Sequence, residues 1–353
     1  MNLNPTDQDI VVNASGLREF SSQLYQEAGV PKVDADAVAQ LQVDTDLRGI
    51  HSHGTRHLPG YVRGILSGNT NPTPNITIIR DNPAMARVDG DQGLGHVVGK
   101  FSMELAIEKA KIAGIGAVGA CTTNHFGSAS CHAMLALKHG MIGFSTSTSG
   151  PGVAPYGGKT RVVGNNPFSY AIPAKTESPL VIDMACGVSA WGRIGTMRLY
   201  GQKLGPGWVL DAEGKETDDP NQAHVLLPMG GTKGYSLALA VDALAGPLAG
   251  MFATVNKKGD LPPEKRGSGL FFYAINIDSF VPLEEFTAEI DREIHELQSS
   301  PPADGFDRVY YPGELEAMKQ KKWSVDGIPL HRDHLKGLAD LAKELGVPVF
   351  WKA

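Results

Sequence analysis

The chain has 353 residues, 42% hydrophobic and 20% charged, the proportions of a globular protein rather than a disordered one. A formal net charge of −6 argues against a surface that coats nucleic acid, and no run of about eighteen apolar residues offers a membrane span. Three cysteines (Cys121, Cys131, Cys186) are an odd number without paired spacing, so neither a disulfide framework nor a thiolate zinc site is expected.

The start, MNLNPTDQDIVVNASG, has no basic segment leading into an apolar one, so it does not read as a secretory leader; with free thiols, the expectation is a cytoplasmic protein. Ser15–Ala28 and Asp34–Leu47 then read as helices. Asp34 is placed to cap the second, and Ala37, Val38 and Leu41 repeat at helical spacing. Pro59 opens a short helix through Tyr61, Val62, Ile65 and Leu66, stopped by Gly68. Between them runs a histidine-rich connection, RGIHSHGTRHLPG. From Asn75 the period changes: ITIIR and AMARVDG read as strands, and Phe101–Ala113 as a helix closed by Gly114. Short apolar runs punctuated by Gly, Ser, Asn and Pro follow (IGAVGA, MIGFSTST, RVVG, FSYAIP, PLVIDMA), with helices at Gly127–Lys138, Tyr235–Leu248 and Leu283–Ser299. The middle is sheet-rich, and helices dominate both ends.

Gly114–Gly119 matches the GxGxxG pattern, but a helix precedes it and a strand follows, the reverse of what a Rossmann phosphate site needs. No acidic residue stands about twenty positions on, so a helix stop followed by a small-residue strand is the better reading. No Asp or Glu occurs between Glu108 and Glu177, while Lys109, Lys111, Lys138, Lys159, Arg161 and Lys175 do. That fits a region kept open to an anion, and equally a buried sheet with little surface.

His51-Ser52-His53-Gly54-Thr55-Arg56-His57 can be read three ways: a metal site, an acid–base and carboxylate-binding loop, or an exposed polar connection. The metal reading wants a second ligand cluster, and none stands out. In Asn124-His125-Phe126-Gly127-Ser128 a strand feeds a helix start. Gly127 there allows close approach, and Ser128 with the helix N–H groups forms an anion cradle beside His125. Gly230-Gly231-Thr232-Lys233-Gly234 lacks the P-loop spacing but places a lysine at a helix start.

Six segments, RGIHSHGTRHLPGYVRGI, TTNHFGSASCHA, GNNPFSYAIP, VIDMACGVSAWGRI, LLPMGGTKGYSLAL and RVYYPGE, together resemble the malate/L-lactate dehydrogenase family of NAD(P)-dependent 2-hydroxy-acid oxidoreductases over roughly residues 15–330. The central and C-terminal stretches look most like ureidoglycolate dehydrogenases. The resemblance implies an α/β (α+β), non-Rossmann dinucleotide-binding fold, with a largely antiparallel central sheet flanked by helices from both chain ends. Residues 1–74 would form a helical substrate-side region packing with 285–353, around a dinucleotide-binding sheet domain at 75–284. It further implies NAD or NADP as cofactor, a small carboxylate substrate, and a homodimer with composite active sites.

By motif match, the resemblance assigns His53 and His125 to proton transfer and Tyr61 to the substrate side; Ser52, Arg56 and His57 are read from the loop itself as substrate contacts, with Arg56 or His57 fixing the carboxylate. Ser149, Asp183, Met184, Ala185, Lys233, Gly313 and Glu314 match the family's cofactor contacts; Gly127 and Ser128, read above as an anion cradle, are expected to join them, and no metal is expected. Two departures stand out. The family often has an arginine four residues after the SHG histidine, where this chain has His57, with Arg56 one position earlier. Arg193 stands where cyclic ketimine reductases of the family place a charge-relay aspartate, which favours a hydroxy acid over an imine. The expected reaction is reversible hydride transfer at C2 of a 2-hydroxy or 2-oxo acid. The alternatives are imine reduction, a metal-dependent hydrolase built on His51, His53 and His57, and a non-catalytic dinucleotide-binding protein.

Overall fold

The structure of the protein is a computed structural model, which describes residues 6–351 except 258 and 260. A short strand β1 (Asp9–Val12) leads into helix α1 (Ala14–Glu27), whose first N–H groups at Ser15 and Gly16 donate to Asn13 Oδ1 at 2.9 and 3.1 Å. Helix α2 (Lys32–Leu47) opens two residues ahead of the expected cap: Pro31 precedes it, and Asp34 lies inside the first turn, where its charge suits the helix dipole. After the histidine loop, α3 (Leu58–Leu66) starts with Pro59 in its first turn.

Strands β2 (Thr77–Asp81) and β3 (Met85–Gly93) precede helix α4 (Gly95–Ala113), which begins six residues before the predicted Phe101. Gly114 ends α4 at φ +80° and β4 (Ile115–Thr123) follows, so the GxGxxG string is a helix stop and a strand. Gly116 is glycine for a packing reason, since a Cβ there would stand 2.0 Å from the Ala106 carbonyl oxygen of α4.

Helix α5 (Ala129–Ala133) passes into a 3₁₀ turn at Met134–His139. Strands β5 (Met141–Ser147), β6 (Pro151–Val153), β7 (Val163–Gly164), β8 (Phe168–Ile172) and β9 (Leu180–Met184) then lead to helix α6 (Trp191–Leu199). Strands β10 (Val209–Leu210) and β11 (Val225–Leu226) precede helix α7 (Thr232–Ala243), which ends in a π turn at Leu244–Leu248. The chain closes with β12 (Ser268–Asn276), α8 (Leu283–Ser299), α9 (Glu314–Asp326), β13 (Ile328–His331) and α10 (Arg332–Leu345).

The main sheet has the order β2-β3-β4-β12-β5-β8-β9. It is mixed: β3 and β4 pair in parallel, and the other neighbours run antiparallel. The sequence reading missed β12, although it sits mid-sheet. Its Leu270, Phe272 and Ala274 are buried against α4, while Phe271 and Tyr273 face the other layer, so the run is apolar on both faces and lacks the alternation of a half-exposed strand.

Residues from both ends share one core: Leu17, Leu24, Val38 and Leu58 pack with Trp323, Leu330, Leu335 and Leu338. Helix α8 lies apart from that cluster, with Ile290 and Ile294 against Leu180 and Tyr311 at the sheet edge. Because β4, β5 and β9 point the same way in the sheet, their C-terminal ends open together beneath the histidine loop. Among the described residues no helix is long and apolar enough to cross a membrane.

Candidate active site

A cavity of about 970 Å³ lies where the ends of β4, β5 and β9 meet the loop that follows α2. The loop is pinned from below by Asp46, which is fully buried near the end of α2. Asp46 Oδ2 accepts the Thr55 N–H at 2.9 Å and the Thr55 hydroxyl at 2.6 Å, and Oδ1 pairs with His51 Nδ1 at 3.0 Å. His51 also stacks on Trp323 at 5.7 Å, so it belongs to the loop's anchor.

His53 and His57 turn the other way, into the cavity, and meet His125 from the far side. Ring centroids are 5.8 Å apart for His53–His125, 5.5 Å for His57–His125 and 5.9 Å for His53–His57. Desolvation by the surrounding protein holds all three rings below the ordinary imidazole pKa, although the His125 side chain is exposed toward the cavity. His125 falls to about 3 and His57 to about 4, each helped down by the neighbouring His53. His53 is also lowered by burial, against the opposing pull of Asp183. At neutral pH the cluster is therefore uncharged and able to take or give a proton. Behind His125, its Nδ1 lies 2.5 Å from the Tyr61 hydroxyl, and burial pushes that phenol's pKa up.

Ser52, Gly127, Ser128, Ser149, Asp183, Met184, Ala185 and Gly313 line the same cavity. Their polar groups are partly spoken for. The cradle expected to hold a ligand anion at Ser128 holds the protein's own Asp183: Oδ2 accepts the Ser128 hydroxyl at 2.7 Å and the Ser130 N–H at 3.3 Å. Ser149 Oγ accepts the Asn165 and Asn166 N–H groups at 2.7 and 3.3 Å. Gly313, at φ +91°, lies so close to Val181 that a Cβ would come within 2.9 Å.

Four expected residues stand elsewhere. Arg56 donates to Thr196 Oγ1 at 2.7 Å, toward α6 rather than into the cavity. Tyr61 sits behind His125. Lys233 is exposed at the start of α7, while nearby Met229 reaches the cavity wall. Glu314 is buried, bonded to Arg308, Gln298 and the Tyr311 N–H, and Glu316 is the acid of α9 that faces the cavity.

Arg48 was missed. It caps the C-terminal end of α2, is 5% exposed and lines the cavity, yet among the described residues its guanidinium makes one long bond, at 3.4 Å to Gln320, and its Nε has no partner. Its signal was an arginine at a helix end one residue before a glycine, directly ahead of the histidine loop. The lysines of the acid-free stretch point away: Lys109, Lys111 and Lys175 pair with Asp81, Glu108 and Glu284, and only Arg161 of its cations lines the cavity, stacked on Trp191 at 4.9 Å. Among the described residues no three His, Cys, Asp or Glu side chains are grouped to hold a metal.

The profile of the malate/L-lactate dehydrogenase family matches residues 12–339. The chain belongs to that family. It is 41% identical to a malate dehydrogenase of Pyrococcus horikoshii over 343 residues, covering 94% of each chain. It is 39% identical to an L-sulfolactate dehydrogenase of Methanocaldococcus jannaschii, covering 96% of this chain and 98% of the other. Identity to the NAD(+)-dependent ureidoglycolate dehydrogenase of Escherichia coli is 35%, over 90% of this chain and 92% of that protein. Over the whole chain the resemblance is thus stronger to the malate and sulfolactate enzymes than to the ureidoglycolate enzyme. The solved Pyrococcus horikoshii malate dehydrogenase superposes with a TM-score of 0.88 at 38% identity, covering 98% of both chains. The family's dinucleotide fits this site on one observation. The walls at Ser147, Thr148, Ser149, Gly150 and Gly152 are small and uncharged, so backbone can approach a pyrophosphate without carboxylate repulsion.

Proposed function

We propose that the protein is an NAD-dependent dehydrogenase that moves hydride reversibly between a nicotinamide and C2 of a small 2-hydroxy or 2-oxo acid of the malate, sulfolactate or ureidoglycolate kind. The observation that carries this is the convergence of His53 and His125, 5.8 Å apart and held neutral, on one large cavity. When bound, the dinucleotide supplies or accepts the hydride. His125, with His53 as the second candidate, takes the hydroxyl proton in oxidation and returns it in reduction. Ser52 and His57 contact the substrate, Arg56 orders the loop from α6, and Arg48 offers its under-paired guanidinium to the substrate carboxylate. Asp183, Met184, Ala185, Ser149, Gly127, Ser128 and Gly313 shape the dinucleotide's bed.

The nucleotide is proposed to lie across the ends of β5 and β9, a non-Rossmann arrangement, since the GxGxxG string is spent on helix–strand packing. Arg193 lines the cavity with its guanidinium 5.4 Å from the Trp208 ring, so an anionic substrate suits the site better than a cationic imine. The metallohydrolase alternative loses its ligand set, because His51 is bound to Asp46.

A homodimer is proposed through α7 and its π turn. Leu237, Leu239 and Leu248 there are exposed, and Asp242, the one charged residue between positions 234 and 256, is buried. Free thiols at Cys121, Cys131 and Cys186 fit a cytoplasmic setting. The test is nicotinamide absorbance with NADH and with NADPH against oxaloacetate, pyruvate and sulfopyruvate, and in reverse with malate and ureidoglycolate. His53→Ala and His125→Ala are then compared: the acid–base residue loses turnover while dinucleotide affinity survives. Near-normal turnover in both variants refutes the assignment.

A further inference from the structure

His125 meets the cavity with one nitrogen and the protein with the other. Its Nδ1 faces two hydrogens: the Tyr61 hydroxyl at 2.5 Å and the Gly127 backbone N–H at 3.4 Å. A backbone N–H can only donate, so Nδ1 presents its lone pair, and the phenol oxygen beside it donates as well. The neutral ring then carries its proton on Nε2, which has no protein hydrogen-bond partner among the described residues and belongs to a ring that lines the cavity.

We infer that Tyr61 is a positioning residue that sets the tautomer of His125. In the resting site its hydroxyl donates to Nδ1 and points an Nε2–H at the substrate. This rests on the acid–base role proposed above for His125.

The partner's chemistry suits a reversible reaction. A carboxylate beside Nδ1 would only accept, fixing the proton there and favouring the imidazolium. A phenol both donates and accepts. It donates to Nδ1 in the resting neutral ring and so keeps that ring's proton on Nε2. By turning its O–H bond away, it accepts from Nδ1–H when Nε2 must receive a hydroxyl proton. To protonate a forming alkoxide the ring first takes a second proton from solvent at Nδ1, and Tyr61 accepts that N–H. Nε2 then gives up its proton and leaves the neutral Nδ1–H ring, the form that takes the hydroxyl proton at Nε2 in oxidation. The titratable groups around His125 are all of this undemanding kind. His53 and His57 come from the histidine loop, Tyr61 from α3 and His96 from α4, while Asp183, bonded to Ser128, acts by its charge on His53 and Cys131 on Tyr61. The Tyr61 ring is itself held, edge-on to His96 with centroids 5.3 Å apart.

The test is ¹⁵N NMR of the histidine side chains in the full chain at neutral pH, together with the pH dependence of kcat/KM for wild type and Tyr61→Phe. For wild-type His125, Nδ1 is expected unprotonated and Nε2 protonated. In Tyr61→Phe the two tautomers mix. Loss of a donor to the neutral ring also moves the acid limb of kcat/KM upward by about one pH unit. Turnover falls about tenfold in both directions while the KM for dinucleotide holds. A protonated Nδ1 in the wild type overturns the inference, and so does an acid limb that stays or moves down in Tyr61→Phe. The wild-type spectrum decides even if the variant fails to fold. His125→Ala separates the two readings: full turnover there refutes the acid–base role alone, whereas a dead His125→Ala with Nδ1 protonated in the wild type refutes the role of Tyr61 alone.

Discussion

Replacing Gly54 with alanine tests whether the histidine loop is held by the carboxylate beneath it. Gly54 has φ −90°, so the left-handed conformation that favours glycine is not what places it there. The reason is space: a Cβ at Gly54 would lie 2.2 Å from Asp46 Oδ1 and 2.4 Å from Asp46 Cγ. That carboxylate cannot retreat, being fully buried and fixed by the Thr55 N–H, the Thr55 hydroxyl and His51 Nδ1. Overpacking of this kind costs about 1–3 kcal/mol, and the upper end applies where the obstructing group is immobile. Asp46→Ala alone leaves the buried Thr55 N–H without its acceptor and removes the charged bonds, a loss of about 3–5 kcal/mol.

In the double variant the methyl group added by Gly54→Ala enters the space the carboxylate vacated. Gly54→Ala should then cost almost nothing, leaving a coupling energy of about 3 kcal/mol. The assay is urea unfolding of the four proteins at pH 7.5, with turnover measured alongside, because the loop carries His53 and His57. If Gly54→Ala costs the same in both backgrounds, to within about 0.5 kcal/mol, the carboxylate is not what excludes a side chain at Gly54.

Acid should unfold the protein partly through His132, which is fully buried with Nε2 2.9 Å from the Phe126 carbonyl oxygen and a pKa lowered to about 4 by burial. Its folded pKa lies below its unfolded one, so the unfolded chain binds the proton first. The stability present above pH 6.5 is lost as pH falls toward 4, at up to about 1.4 kcal/mol per pH unit from this group. Urea unfolding of His132→Gln between pH 7 and 4.5 should show a slope shallower by one proton, and an unchanged slope counts against it. Asn166→Ala should raise the KM for dinucleotide more than tenfold with little change in that for oxo acid. Asn166 sits at φ +33°, and its amide joins the Ser149 N–H at 3.0 Å to the Ala238 carbonyl at 3.0 Å, losses of about 2–4 kcal/mol together. Steady-state kinetics check it, with Asn166→Gly as the variant that keeps the backbone but not the amide. Leu237→Glu should convert a dimer to monomer in sedimentation velocity, and a wild type that sediments as a monomer refutes the α7 interface.

Much of the fold follows from short-range physics. Pro59 and Gly68 bound α3, Gly114 ends α4, and Leu283–Ser299 is a helix at the residues its amphipathic spacing marks. The errors came where context overrode local signals. Asp34 has the chemistry of a cap but lies inside α2, because Pro31 already fixes the turn that starts it. Strand β12 lacks alternation because both its faces are covered. At the site, the density of histidines was visible along the chain, and so was the histidine at the end of β4. The division of labour within the loop was not: His51 and His53 are two residues apart, and only the packing of Asp46 and Trp323 turns one away while the other faces the cavity.

The amino-acid order alone determined the family, helices such as α1, α3 and α8, and the residue types able to move a proton, because these rest on neighbours within a few positions or on motifs kept in register. Tertiary structure alone decided that Tyr61 meets His125, that Asp183 fills the cradle at Ser128, and that Arg48 is buried at the cavity wall with a spare donor. Those pairings join residues 64 and 55 positions apart, and a hydrogen bond is set by distance and direction in space, which no local pattern encodes.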